Sequence, residues 1–183
     1  ETNLPSAVER YEMRQCVEGM AARLAAKNMN TYQVNELHRL AKEHIKAWDD
    51  PEGDDKGERM GRTNAAFHQY LMANCGNSLL LKAYKMHQLS PIWVHMHEPT
   101  EVPIGEVPGV PVPEHLERLC ELIRLHKADE AEACIRGRIH VITEQMRAAM
   151  WAHSKHEQQT PLTIQASGLS SQASSLLQKE EEK

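Results

Sequence analysis

The sequence predicts an all-α fold, an antiparallel bundle of about six to seven helices, from composition and from the spacing of its apolar residues. Aromatic residues make up 4% of the chain, and Phe occurs once. Ala, Leu, Met, Glu and Gln dominate instead, a mixture that favours helix over sheet. Apolar positions recur at three- and four-residue intervals, and no stretch alternates in the manner of a half-buried strand. At 183 residues the chain is long enough for one domain with a substantial core.

Ser6-Ala-Val-Glu9, preceded by Pro5, has the capping-box pattern and opens a helix to about Ala26, stopped by Asn28-Met-Asn30. Thr31 is the expected cap of a second helix with the stripe Val34, Leu37, Ala41, Ile45, Trp48. The acidic run Asp49–Asp55 resembles an EF-hand superficially but lacks its glycine register, so it reads as a solvated linker. A third helix is expected from about Lys56 to Cys75, ended by Gly76-Asn77, and Ser78 is the expected cap of a fourth. Pro91 kinks or interrupts that fourth helix, and residues 99–113 are too rich in proline for helix and read as an extended surface loop. Helices from Glu114 to about Leu125 and from Asp129 to about Ser154 complete the bundle. The expected division is a helical domain over residues 1–157 and a polar tail, mobile or loosely packed, over 158–183.

The formal net charge of −5 argues against a nucleic-acid surface on this chain, since phosphate binding needs a basic face. No apolar run approaches a membrane span. The four cysteines stand singly among apolar residues, which suggests reduced, buried thiols and a cytoplasmic location. Catalysis is not indicated. A di-iron site needs Glu-x-x-His on two helices, and neither that pair nor a phosphate-binding glycine loop nor a Gly-x-Ser-x-Gly nucleophile motif is present.

Three segments carry a more specific signal. They are Tyr11-Glu-Met-Arg14-Gln-Cys-Val-Glu18-Gly-Met-Ala21, then Phe67-His68-Gln-Tyr-Leu71 with Gly76-Asn77-Ser-Leu-Leu80, then Glu114-His115 leading to Leu122-Ile123-Arg124 and the Ala-rich helix after Asp129. In this order and spacing, over residues 7–150, they resemble the FCD domain, the C-terminal effector domain of FadR-type regulators in the GntR family. The resemblance implies a usually dimeric helical bundle that binds a small organic acid and signals to a winged helix-turn-helix domain. That DNA-binding domain is expected upstream of Glu1, and DNA would be contacted through it. A stand-alone helical ligand-binding or metal-binding protein without DNA regulation is the alternative, and a purely structural dimerisation module is a third.

Many FCD domains hold a divalent metal through an Asp, a His four residues on and two further histidines, a set suited to zinc or nickel. Here His68 matches the first histidine, but Asn64 stands at the aspartate position. The family spacing of the last two ligands, anchored on Leu122-Ile123-Arg124, falls on Leu116 and Arg138, with His115 and His140 close but out of register. Counted from Asp129 the spacing favours His140, yet His140 shares its helix face with Arg136, Glu144 and Arg147, whereas Arg138 sits among Cys134, Ile135, Val141 and Ile142. Arginine cannot ligate a metal but can clamp a carboxylate bidentately. The expected pocket is therefore metal-free, with Arg138 and Arg14 for an anionic group, Asn64 and His68 for hydrogen bonds, and His115 and Leu116 on the flank. A metal held by Asn64, His68, His115 and His140 is the alternative. The bland readings are a hydrogen-bonded Asn64–His68 core pair and an Arg14–Glu18 pair one helical turn apart.

Overall fold

The computed structural model describes residues 4–50, 56–87 and 112–159. Six helices and no strand occur among the described residues: α1 (Leu4–Asn28), α2 (Thr31–Asp49), α3 (Lys56–Asn74), α4 (Ser78–Met86), α5 (Val112–Arg124) and α6 (Ala128–Gln159). Residues Glu1–Ala149 form one compact unit, and the end of α6 from Met150 to Gln159 belongs to a second. Pro91, most of the 99–113 segment and the chain beyond Gln159 lie outside the described residues, as do the conformations expected of them.

α1 buries Tyr11, Val17, Ala21, Ala22, Ala25 and Ala26, a stripe at helical spacing whose small residues let neighbouring helices approach closely. α6 runs antiparallel to α1. Arg147 pairs with Glu12, Gln15 Nε2 donates to Thr143 Oγ1 (3.3 Å), and Arg23 reaches Asp129 and Glu132, so the partner number falls as the α1 number rises. Arg136 lies across Gly19, where a Cβ would come within 2.5 Å of its Nε.

Two helix caps lie one residue before the positions read from the sequence. Asn30, not Thr31, caps α2: Gln33 N donates to Asn30 Oδ1 (2.9 Å) while Asn30 N donates to Gln33 Oε1 (3.0 Å), a reciprocal capping box. Asn77, not Ser78, caps α4, its Oδ1 accepting from Leu79 N and Leu80 N. In both cases an amide oxygen precedes a hydroxyl residue, and the amide takes the cap. Between α3 and α4, Gly76 adopts φ +86, which an L side chain rarely adopts, and a Cβ would collide with Asn28. Asn28 Nδ2 holds that turn by donating to Cys75 O (2.9 Å).

α5 and α6 are joined by a left-handed turn in which Lys127 N donates to Leu122 O and His126 N to Ile123 O, the Schellman pattern. His126 takes the left-handed position (φ 57) that usually falls to glycine, and its Nδ1 donates to Ala26 O at 2.7 Å, tying the turn to the end of α1. α2 packs on α3 and α5, and α1 touches α3, α4 and α5. Leu37, Phe67, Leu71, Leu119, Ile123 and Ile135 are fully buried where these helices meet.

Two packing expectations change. The buried side of α2 is Val34, Leu37, Ala41, His44 and Ala47, so His44 and Ala47 take the places foreseen for Ile45 and Trp48. Cys75 and Cys120 are buried as expected, but Cys16 is exposed, because α1 turns it away from the stripe that carries Arg14, Val17 and Glu18.

Candidate functional site

A cavity of about 130 Å³ lies inside the bundle. α1 contributes Tyr11 and Arg14, α2 His44 and Trp48, α3 Met60, Asn64 and His68, α5 His115 and Leu116, and α6 Ile135, Arg138, Ile139 and Ile142. Arg14, Asn64, His68 and Arg138 all line it, as do the flanking His115 and Leu116. His140 does not: it is exposed, because two residues beyond Arg138 the helix has turned to its other side.

The α1–α3 wall is organised by Glu18, which on sequence alone is no more than a bland partner for Arg14. Arg14 Nε donates to Glu18 Oε1 at 2.6 Å, and His68 Nδ1 stands 2.7 Å from Glu18 Oε2. Glu18 is 0% exposed, Arg14 3% and His68 6%. Burial by itself would raise the Glu18 carboxyl, but Arg14 and His68 outweigh it and hold the group down at about 2. Burial likewise disfavours the Arg14 charge, and Glu18 reverses this, holding the guanidinium above its ordinary value. The Arg14 guanidinium carbon also sits 4.6 Å from the Tyr11 ring centroid. Arg14 thus combines the two roles the sequence allowed it: it lines the cavity and it pairs with Glu18. The partner of His68 is this carboxylate on α1 rather than Asn64 one turn away on α3.

Among the described residues that line the opposite wall there is no such carboxylate. Arg138 Nη1 is buried without a hydrogen-bond partner among the described residues, and burial pulls the Arg138 pKa below the usual arginine value. His115 faces it. Burial first, then the Arg138 and His68 charges, push the His115 ring down to about 3, so it is neutral at physiological pH. His115 Nδ1 lies 3.7 Å from Cys134 Sγ. Burial also lowers His44 to about 4, with a further contribution from His68, while His44 Nδ1 contacts Thr63 Oγ1 at 2.9 Å.

Sequence reasoning missed His44, and it foresaw Glu18 only as the partner of Arg14 and not of His68. Each had a signal: His44 stands three residues after Ala41 on the Val34–Leu37–Ala41 stripe, and Glu18 stands between Val17 and the buried Ala21. A polar residue on a buried stripe must find a partner, and both do.

Among the described residues, no group of three or more His, Cys, Asp and Glu is placed to hold a metal ion. The cavity offers imidazoles and an amide, facing an arginine.

The FCD domain family model matches residues 9–141, which includes every described helix at least in part and all but one of the cavity-lining side chains. The chain belongs to the FCD domain family. Its cavity is thus the interior of an FCD bundle, and the three sequence motifs that suggested this family lie within or beside the matched span. The solved structure of E. coli McbR/YncC is similar in fold, with a TM-score of 0.58 and 18% identity over 84% of this chain and 71% of that one. No curated protein matches the chain at a significant level. No described helix of this FCD domain is long and apolar enough to cross a membrane.

Proposed function

We propose that this FCD domain is the effector-sensing and dimerisation domain of a GntR-type, FadR-subfamily transcriptional regulator in the cytoplasm. Its effector is a small carboxylate bound in the bundle interior, and the domain acts on DNA through an attached winged helix-turn-helix. The observation that carries the effector reading is Arg138. A buried guanidinium nitrogen without a partner is costly, and a carboxylate supplies the paired acceptors that a guanidinium fork requires. Arg14 contributes less, because Glu18 already engages its Nε. Asn64 and the outer nitrogens of His68 and His115 are suited to orient the rest of the ligand.

The divalent metal held by many FCD domains does not fit these residues. Asn64 is neutral where the family has an aspartate, His140 is exposed, and Arg138 places a positive charge beside His115 and so opposes a cation. The arginine takes over what a metal would do for an acidic effector. Signalling requires that the effector bind one arrangement of the bundle better than another and shift the paired DNA-binding domains accordingly.

The test is a thermal-shift screen of mono- and dicarboxylates of three to six carbons, with and without EDTA. At least one acid should raise the melting temperature equally in both conditions, and Arg138→Ala should remove that response while the far-ultraviolet circular dichroism stays helical. Stabilisation that EDTA abolishes, or that Arg138→Ala retains, overturns the reading.

A further inference from the structure

The side of α1 turned away from the cavity has an order of its own. Glu9, Met13, Cys16, Met20 and Lys27 recur at helical spacing and lie along one line of the helix, opposite Glu18. All five are exposed, Met13 at 39% and Met20 at 38%. Three apolar side chains thus form a stripe in solvent, bracketed by an acid at its start and a base at its end. Glu12 and Arg23, which flank the stripe on the α6 side, are already engaged: Glu12 pairs with Arg147, and Arg23 with Asp129 and Glu132. Glu9 and Lys27 make no ion pair among the described residues.

The spacing is self-complementary. Glu9 and Lys27 are about five helical turns apart, about 27 Å along the axis, so they point the same way. Their midpoint falls midway between Cys16 and Met20. A two-fold axis through that midpoint, perpendicular to α1, sets Glu9 against Lys27 of a second copy and Cys16 against Met20, and it repeats each contact. The helix is held near both ends of the stripe, by Arg147 on Glu12 and by His126 Nδ1 donating to Ala26 O at 2.7 Å, so pairing orders little that is not already fixed. α4 also exposes Leu79 and Met86, but the charges it exposes are Lys82 and Lys85, and two copies of that face would repel.

We propose that the outward face of α1 is an interface between two copies of this chain, with the two α1 helices antiparallel and Glu9 of each against Lys27 of the other. This rests on the dimerisation reading above and gives it a surface, an orientation and a register. Apolar side chains leave water at the centre. The charges at the two ends reject a parallel pairing, in which Glu9 would face Glu9 and Lys27 would face Lys27. A single helix pair about 27 Å long is a small interface, so the association depends on concentration.

Sedimentation equilibrium of the full chain over a dilution series tests the surface, and disulfide cross-linking tests the register. The chain should dimerise, and Met20→Glu, which places a charge at the centre of the stripe, should leave a monomer with unchanged helical circular dichroism. Glu9→Lys should weaken the dimer by about 10-fold, and adding Lys27→Glu to it should restore the affinity to within about threefold. In a Cys16→Ser background, which by itself serves as the blank, Glu9→Cys combined with Lys27→Cys should give a covalent dimer on air oxidation. Either new cysteine alone should give none, because it stands about 27 Å from its own copy, far beyond the reach of a disulfide. A dimer that survives both Met20→Glu and Glu9→Lys undiminished overturns the proposal, leaves this face to another partner and leaves the dimerisation reading standing. Cross-linking of either single variant in preference to the pair overturns the antiparallel register. A chain that is monomeric at every concentration overturns the surface and the dimerisation reading together.

Discussion

Arg14 on α1 and Arg138 on α6 line one cavity, yet they differ in what lies beside them. Arg14 has Glu18 at 2.6 Å, and that carboxylate is shared with His68 on α3. Arg138 has a neutral imidazole nearby and a buried nitrogen without a partner among the described residues. A buried charge with a hydrogen-bonded counter-charge is part of the scaffold, since removing either member strands the other. A charge whose buried end has no such partner lowers stability in the empty domain and gains one when an anion enters. The α1–α3 wall is thus paired within the fold, and Arg138 Nη1 on α6 has no such partner among the described residues.

The largest expected effect breaks the complete wall. Glu18→Gln leaves Arg14 buried without its counter-charge and should destabilise the domain by about 3–5 kcal/mol, read by urea unfolding. A loss below about 1 kcal/mol would mean that Arg14 reaches solvent and that the pair is not structural.

Acid should act on both walls in the same direction. His44 and His115 are held at about 4 and about 3, below the ordinary 6.5, so the unfolded chain binds protons that the folded chain refuses. Their contribution is complete above pH 6.5 and is lost as pH falls toward 4 and 3, at about 1.4 kcal/mol per pH unit for each ring. Glu18, held at about 2 against 4.5, adds stability that is complete above 4.5 and disappears as pH falls toward 2. Unfolding free energy measured from about pH 7.5 to about 4.5 should therefore drop steeply, and His115→Gln should flatten the slope by about one proton. An unchanged slope would place His115 in water.

Arg138 should behave oppositely to Glu18. Arg138→Met removes a cation with an unpartnered buried nitrogen and should leave the ligand-free domain as stable as before or more stable by up to about 2 kcal/mol. Marked destabilisation in urea would show that Arg138 is a structural residue like Arg14.

The smallest effect is the control for both. Asn77→Ala removes the α4 cap, away from either arginine, and should cost about 1 kcal/mol in the same urea assay. A cost near zero would mean that Ser78 takes over the cap, as its place in the sequence suggests.

The residues foreseen for the pocket gather around one cavity because helical periodicity is local. Asn64 and His68 are one turn apart, and Arg138 follows from the apolar residues around it on α6. The departures have equally local or equally distant causes. Asn30 and Asn77 outcompete Thr31 and Ser78 by one position, a choice that propensity patterns distinguish poorly. Ile45 and Trp48 are the expected buried residues where His44 and Ala47 are found: the stripe admits His44 or Ile45 after Ala41, and hydrophobicity favours Ile45 unless Thr63 is known to stand across from His44.

Residues a few positions apart were enough to set the helices, their stop signals, the FCD family and the inward turn of Arg14, Asn64, His68 and Arg138. The Arg14–Glu18 pair one turn apart was legible in the sequence, but the partners drawn from other helices were settled by packing. Glu18 and His68 lie on different helices, far apart in the chain and 2.7 Å apart in space, and His44 meets the Thr63 hydroxyl on the next helix. Coulomb interactions and hydrogen bonds act through space at a few ångströms, so partner choice inside a bundle is fixed when helices dock. Among the described residues, that docking left Arg138 Nη1 buried without a hydrogen-bond partner.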